Sequence, residues 1–285
     1  MYKSIGFMQG RLSPKVNDMI QAFPWHAWTM EFPQAQKIGI GLMEWTLDQE
    51  GLYSNPLMTP EGQLRILDLC DRYDVQIPSL TGDCFMQAPF WKASGAQGQA
   101  LEEDFMAVCR ACGTLGIQYV VVPLVDNGRL EDRTQEDRFV GFLQQQVGEL
   151  SRLGLQVVFE SDFSPADLAR FIDRLDPVLF GINYDMGNSA AQGWDPREEF
   201  AAYGARVLNV HVKDRLLGGT TVPLGTGHTP FDLVFAELGR LKYVGNFILQ
   251  TARATDERHV EVLSGYRDMT VAWAQKHVWL KGGVN

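Results

Sequence analysis

The sequence has few cysteines, no long apolar run and no cluster of basic residues. Its four cysteines, at positions 70, 84, 109 and 112, are too few and too unevenly spaced for a disulfide framework in a chain of 285 residues. No stretch approaches the roughly 20 consecutive apolar residues that span a bilayer, and the start lacks a charged segment followed by an apolar one. These absences predict a cytoplasmic protein without a membrane partner.

The charge balance argues against a nucleic-acid partner. The chain has 35 acidic and 25 basic residues, a net charge of −10, whereas proteins that bind phosphate backbones gather lysine and arginine on one face. It also lacks the glycine-rich motifs that cradle nucleotide phosphates. We therefore expect a small-molecule ligand and no nucleic acid.

Eight short apolar runs alternate with helical patterns along the whole chain. Runs such as residues 119–122 and 157–159 are apolar without alternation, which is typical of parallel strands buried on both faces. Eight strand-helix units predict a (β/α)₈ TIM barrel, because doubly wound sheets more often stop at five or six strands. No linker divides the chain, so we expect one domain over residues 1–285. The predicted strands are residues 3–8, 40–45, 75–80, 118–123, 155–160, 180–185, 207–211 and 245–250.

Several helix starts are marked by a side-chain oxygen followed by proline, the pattern of an N-cap and a first helical residue. Two of them also have an aspartate three residues later, as in a capping box. Long connections over residues 9–30 and 81–98 predict binding loops at the catalytic rim. The caps are Thr59-Pro60, Ser164-Pro165, Asp195-Pro196 and Thr229-Pro230, and the two boxes pair Ser164 with Asp167 and Thr229 with Asp232.

The residues that end the strands are the candidates for chemistry, because only they reach the shared pocket of a barrel. Three consecutive runs finish in Glu160, Asp185 and His211. Neighbouring strands lie about 5 Å apart, so these side chains can converge on one cation. Two oxygen donors and an imidazole suit Mn²⁺, Mg²⁺, Co²⁺ or Zn²⁺. The alternative is that each residue only donates or accepts hydrogen bonds at the barrel mouth.

The second half of the chain carries motifs that identify a family. They are Tyr184-Asp185-Met186-Gly187-Asn188, Val210-His211-Val212-Lys213-Asp214 and Val222-Pro223-Leu224-Gly225-Thr226-Gly227 followed by Phe231, and the first half adds Met8-Gln9-Gly10-Arg11-Leu12-Ser13-Pro14. The chain resembles the sugar-phosphate isomerases and epimerases of the xylose isomerase-like barrels, particularly the ribulose- and xylulose-phosphate 3-epimerases. The resemblance implies a divalent metal held by Glu160, Asp185, His211 and a fourth ligand from the eighth strand.

The chain departs from this pattern at Gln250, where the family's epimerases have glutamate. An amide oxygen can still bind a hard cation, but it cannot carry a proton. Relatives epimerise with two metal-bound glutamates, so a single base, Glu160, favours same-face transfer through an enediolate, as in aldose-ketose isomerisation. Asp83 or Glu44 is an alternative source of the missing acid.

Other residues near the strand ends are candidate substrate contacts. Lys213 can neutralise an enediolate oxygen or a phosphate, or can form an ion pair with Asp185 or Asp214. Further candidates, each of which can also be a plain rim residue, are Arg11, Glu44, Asp83, Trp25, Arg253 and His228. Aromatic residues in the two long loops form either a sugar-binding wall or a subunit interface, so we expect a homo-oligomer.

These features predict a metal-dependent isomerase or epimerase of a small sugar or sugar phosphate, with Glu160 as the base. The alternatives are a keto-polyol dehydratase or lyase on the same scaffold and a catalytically silent sugar-binding barrel. An endonuclease for abasic DNA shares the fold but needs additional metal ligands and a basic groove, neither of which the sequence contains.

Overall fold

Eight parallel strands close into a barrel in a computed structural model of the chain, which describes residues 2–279. Each barrel strand pairs with its neighbours along the chain, and the last strand pairs with the first. The predicted (β/α)₈ barrel is therefore confirmed. The barrel strands are β1 (Tyr2–Met8), β2 (Ile40–Thr46), β3 (Gln76–Thr81), β4 (Tyr119–Leu124), β5 (Gln156–Ser161), β6 (Phe180–Asp185), β7 (Val207–Val212) and β10 (Asn246–Leu249).

The strand bounds agree with the predicted runs to within about a residue, because residues buried on both faces have an unambiguous apolar signature. The sequence did not predict the short antiparallel ribbon that follows β7, formed by β8 (Asp214–Arg215) and β9 (Thr221–Val222). This ribbon carries part of the connection to the last barrel strand.

Helices surround the barrel and bury their apolar stripes against it. Cys109 and Cys112 are fully buried in α4 and pack in the core. No helix within residues 2–279 combines the length and apolar character needed to cross a membrane. The helices are α1 (Glu31–Lys37), α2 (Pro60–Tyr73), α3 (Asp83–Gln87), α4 (Gly95–Leu115), α5 (Arg133–Leu153), α6 (Pro165–Ile172), α7 (Met186–Gln192), α8 (Pro196–Tyr203), α9 (Phe231–Arg240) and α10 (His259–His277).

Three of the four predicted N-caps are confirmed, and the fourth is wrong. Thr59, Ser164 and Asp195 each accept a backbone N–H of the first helical turn. Thr229 does not, because its hydroxyl donates to Lys213 O and α9 begins after Pro230 without a side-chain cap.

Neither predicted capping box forms its reciprocal pair of bonds. The Asp232 carboxylate accepts from Lys276 and His277 instead. The hydroxyl of Ser164 donates to the Asp167 carboxylate, so that pair closes between the side chains.

The connection after β3 is shorter than predicted, since it contains α3 and ends where α4 begins at Gly95. The connection after β1 remains long and is anchored by Glu31, the first residue of α1. The fully buried Glu31 carboxylate accepts the backbone N–H groups of Gly10 and Leu12. These bonds hold the chain segment that leaves β1 against the barrel end.

Candidate active site

Glu160, Asp185 and His211 meet at the C-terminal ends of β5, β6 and β7. Asp185 and His211 are paired in register across β6 and β7. The Nδ1 atom of His211 lies 3.0 Å from Glu160 Oε2 and 4.0 Å from Asp185 Oδ2. One ligand atom from each residue lies within 4.8 Å of the other two, and all three residues are buried. The convergence expected from the strand ends is thus present.

This donor set fits a divalent cation. Two carboxylates and an imidazole nitrogen are hard or intermediate donors suited to Mn²⁺, Mg²⁺, Co²⁺ or Zn²⁺. Buried carboxylates are costly unless a positive charge balances them. The three residues can therefore hold a metal ion, and the buried negative charge gives a physical reason for one.

Charge and burial determine the protonation of this cluster. Burial raises the pKa of Glu160, but hydrogen bonding to His211 and the positive charges of His211 and Lys213 outweigh it and leave the pKa lowered. Burial raises the pKa of Asp185 more than Lys213 lowers it. For His211, burial lowers the pKa, yet Glu44 and Glu160 reverse that effect and raise it to about 10. The imidazole is thus held by carboxylates on both sides.

Glu44 lies on the far side of His211 from the two candidate carboxylate ligands. Its Oε1 atom is 2.7 Å from His211 Nε2, and its side chain is fully buried. Ser79, Thr81 and Asn209 also donate to this carboxylate. A carboxylate on the second ring nitrogen fixes the orientation of a metal-binding histidine. This placement favours a positioning role for Glu44 over the substrate contact expected from the sequence.

Replacing this carboxylate should weaken metal binding. In the Glu44→Gln variant the imidazole loses its anionic partner, so we expect Mn²⁺ affinity to fall about 10- to 100-fold in calorimetric titration. Glu199→Gln is the matched control, since Glu199 is also buried and hydrogen-bonded but contacts Tyr184, Ser189 and Tyr203 instead of His211. Equal Mn²⁺ affinity in the two variants would contradict the positioning role.

Lys213 forms an ion pair with Asp185, one of the two roles expected for it. Its Nζ atom lies 3.1 Å from Asp185 Oδ2 and 3.2 Å from Gln250 Oε1. Asp214 instead accepts the backbone N–H groups of Gly225, Gly227 and Thr229, which fixes the glycine-rich loop. The amide oxygen of Gln250 and the carboxylate of Asp185 therefore share one ammonium group.

Two asparagines that the sequence analysis did not select hold the Glu160 carboxylate. Asn188 Nδ2 donates to Glu160 Oε1 at 2.6 Å, and Asn183 Nδ2 donates to Oε2 at 3.2 Å. The Asn188 side-chain oxygen accepts from Lys213 and Arg215. Asn188 belongs to a quoted family motif, which was the available signal, whereas nothing in the sequence marks Asn183 or Arg215.

Asp83 and the residues of the first connection lie at the same end of the barrel. Gln21 Nε2 donates to Asp83 Oδ2 at 2.5 Å, and Gln21 Oε1 accepts from Gln250 Nε2 at 3.1 Å. Arg11 is buried and donates to the backbone oxygens of Thr251 and Ile20. Arg253 is half-buried and donates to the backbone oxygen of Ser13. The two arginines thus tie the chain after β1 to the chain after β10.

Trp25 and His228 lie further out than the other predicted site residues. Trp25 is 37% exposed and packs edge-on against Phe23, with ring centroids 4.9 Å apart. His228 is exposed, and its Nδ1 atom accepts the backbone N–H of Leu217. The structure therefore brings Glu160, Asp185, His211, Lys213 and Gln250 into one hydrogen-bonded group, and it leaves these two residues outside that group.

Similarity to known proteins agrees with this geometry. Residues 32–270 match the family described as xylose isomerase-like TIM barrel. The chain is 24% identical over 255 residues to the L-ribulose-5-phosphate 3-epimerase UlaE of Salmonella paratyphi C (strain RKS4594), an alignment that covers 86% of this chain and 89% of that protein. It is 26% identical over 154 residues to the inosose dehydratase of Bacillus cereus (strain AH820), covering 45% of this chain and about half, 51%, of the dehydratase.

A solved structure supports the fold. The IOLI protein with a binding zinc atom superposes with a TM-score of 0.74 at 14% identity, covering 97% of this chain and 100% of that one. At this identity the similarity shows the architecture alone.

Proposed function

Because this chain belongs to the xylose isomerase-like TIM barrel family, we propose that it is a divalent-metal-dependent isomerase or epimerase of a small ketose or ketose phosphate. The reaction would move a proton at the carbon beside the carbonyl group, through an enediolate. The epimerase named above supports this substrate class.

The observation that carries the proposal is the convergence of Glu160, Asp185 and His211 within 4.8 Å at the barrel mouth. These residues would hold the cation, with Gln250 Oε1 as the fourth ligand. A bound divalent ion supplies a Lewis acid that polarises the carbonyl oxygen and stabilises negative charge on the enediolate.

Glu160 is the group that we assign as the base. Its two oxygens are oriented by Asn188 and Asn183, so the carboxylate is fixed before substrate arrives. A positioned carboxylate contributes about 10²- to 10⁴-fold to proton transfer. Lys213, only 14% exposed, is placed to neutralise charge on a substrate oxygen.

We assign substrate contacts to the residues around this centre. Arg11 and Arg253 would bind a phosphate or hydroxyl groups, because the arginine fork suits such oxygens. Trp25 at the rim would cover an apolar face of the sugar, and His228 would contact only a substrate that extends out of the barrel mouth. Both arginines bind backbone oxygens in this structure, so contact with substrate would require the first connection to move.

A second candidate is a keto-polyol dehydratase. The inosose dehydratase of Bacillus cereus is a relative over 154 residues, and dehydration begins with the same proton abstraction. A site with Gln250 in place of a second metal-bound carboxylate is compatible with a reaction that needs one base. The two candidates differ in whether a hydroxyl group leaves.

Solvent exchange tests the function and separates the candidates. The Mn²⁺-loaded protein is incubated in D₂O with L-ribulose, L-ribulose 5-phosphate and an inosose, and NMR follows deuterium at the carbon beside the carbonyl. We expect exchange with a new sugar isomer, and a preference for the phosphate ester if the arginines bind it. Exchange with loss of water would indicate the dehydratase. Binding without exchange of any compound would contradict both and favour a silent sugar-binding barrel.

A further inference from the structure

Gln250 leaves the site with one proton carrier fewer than inversion of a carbon centre requires. Inversion removes a proton from one face and returns one to the other, so it needs two groups that ionise. Glu160 supplies one of them under the proposed function. The second must be an acidic side chain at the same end of the barrel.

Asp83 meets this requirement by position. It is the first residue of α3, separated from the end of β3 only by Gly82, and it is 5% exposed. In the ring of eight strands β3 lies opposite β7, which carries His211, so a ligand in the mouth lies between them. Two of the other buried acids here, Glu44 and Asp185, are already bound to His211 and Lys213 respectively. Two more, Glu31 and Asp214, accept backbone N–H groups of the loops after β1 and β7.

A row of polar side chains connects Asp83 to the candidate metal ligands across the mouth. Gln21 donates to Asp83 and accepts from Gln250, and Gln250 accepts from Lys213. The row ends at Asp185, to which Lys213 also donates. Asp83 is therefore linked across the mouth to the candidate metal ligands, through the side chains of Gln21 and Gln250.

The free oxygen of Asp83 is suited to a substrate. Its Oδ2 atom accepts from Gln21, while Oδ1 accepts no hydrogen bond within residues 2–279. No cation in that part of the chain lies within ion-pair distance of the carboxyl group. No ion pair therefore holds this acid in its ionised form.

Burial is the main cause of a raised pKa for Asp83, about 7. The carboxylates of Asp48 and Glu160 raise it further, while the bond from Gln21 and the charge of Arg11 lower it. The neighbouring Cys84 thiol has a strongly raised pKa and stays neutral. Both protonation states of Asp83 are therefore accessible near neutral pH, as a proton-transfer residue requires.

We propose, building on the proposed function, that Asp83 is the second proton-transfer residue and that the chain inverts its substrate at the carbon beside the carbonyl. The Glu160 carboxylate takes the proton from one face, and the C–H electron pair becomes the double bond of the enediolate. Protonated Asp83 then gives its proton to the opposite face of the same carbon, and the enediolate pair forms the new C–H bond. Glu160 ends protonated and Asp83 ionised, and solvent resets both without a redox change.

The Asp83→Asn variant tests this assignment because inversion and exchange are measured separately. With whichever of L-ribulose and L-ribulose 5-phosphate exchanges faster, we expect epimer formation to fall at least about 100-fold. Deuterium exchange at the same carbon should remain within a few fold, since Glu160 still removes and returns the proton on its own face. The control is Glu199→Gln, which removes a buried carboxylate that contacts Tyr184, Ser189 and Tyr203 rather than Asp83, and it should leave both rates within a few fold.

Three outcomes would overturn the assignment: unchanged inversion in Asp83→Asn, an equal loss of inversion and exchange, or no inversion by the wild-type protein. If the wild-type protein exchanges the proton without inverting the carbon, only the role of Asp83 is refuted. If the wild-type protein shows no exchange at all, the proposed function is refuted as well. A measurement on the folded metal-free protein does not depend on activity. We expect the infrared difference between the wild type and Asp83→Asn to contain a protonated-carboxyl band below neutral pH, from which the contribution of the buried Glu31 carboxyl cancels. The absence of this difference band would count against the assignment.

Discussion

Glu160→Gln should lower both solvent exchange and product formation by at least about 10³-fold at saturating Mn²⁺. The substitution removes the group assigned as the base, which alone contributes about 10²- to 10⁴-fold. It also exchanges a carboxylate oxygen for an NH₂ group. Asn188 and Asn183 both donate hydrogen bonds to the Glu160 carboxylate. In the variant, the NH₂ group of the introduced glutamine would therefore lie against the NH₂ group of one of these asparagines, and that hydrogen bond would be lost. The lost orientation of the side chain should lower the rate further, in addition to the loss of the base.

Measuring exchange together with metal affinity separates these effects. The variant loses one anionic ligand, so Mn²⁺ binding is titrated first and the rates are compared at saturation. Glu199→Gln again serves as the control, because it removes a buried carboxylate that does not touch Glu160. Exchange in Glu160→Gln within tenfold of the wild type would show that another group is the base.

The barrel and the cluster of candidate metal ligands were predictable because their signals are local. Buried parallel strands read as apolar runs, and a charged residue that ends such a run is placed at the mouth by the fold itself. Glu160, Asp185 and His211 follow from this logic without any knowledge of side-chain packing. The departure at Gln250 was visible only through the resemblance to the family's epimerases, which have glutamate at this position.

The roles of the surrounding residues depend on contacts between distant parts of the chain. Glu44 precedes the end of β2 by two residues, and only the relative stagger of the strands places its carboxylate behind His211. Gln21 lies in a connection without a repeating pattern, yet it bridges Asp83 and Gln250. No periodicity encodes such contacts.

The Thr229 cap shows how a tertiary contact overrides a local signal. The Asp214 carboxylate accepts the Thr229 N–H, and the Thr229 hydroxyl donates to Lys213 O. These bonds tie Thr229 to the loop after β7, so its oxygen does not face the first turn of α9. The predicted cap fails here because contacts with the loop after β7 occupy the Thr229 side chain.

Removal of metal should abolish the reaction while leaving the barrel folded. After dialysis against a chelator we expect exchange to fall at least about 10³-fold, because carbonyl polarisation by a metal contributes several kcal/mol. The fold should persist, since His211 remains paired with Glu44 and Glu160, and Lys213 remains paired with Asp185. Circular dichroism checks the fold, and added Mn²⁺ should restore exchange. Full activity after exhaustive chelation would contradict metal dependence.

Two substitutions at Gln250 should shift the chelator dependence of exchange in opposite directions. Gln250→Glu raises the charge of the proposed ligand set from −2 to −3, so about tenfold tighter Mn²⁺ binding is expected, as ligand charge tunes the affinity of hard cations. Gln250→Met removes the oxygen that accepts from Lys213 at nearly constant volume and should weaken binding by a similar factor. The chelator concentration that halves exchange should therefore rise in the first variant and fall in the second. Identical concentrations in both variants and the wild type would remove Gln250 from the ligand set and leave the cation with three protein ligands.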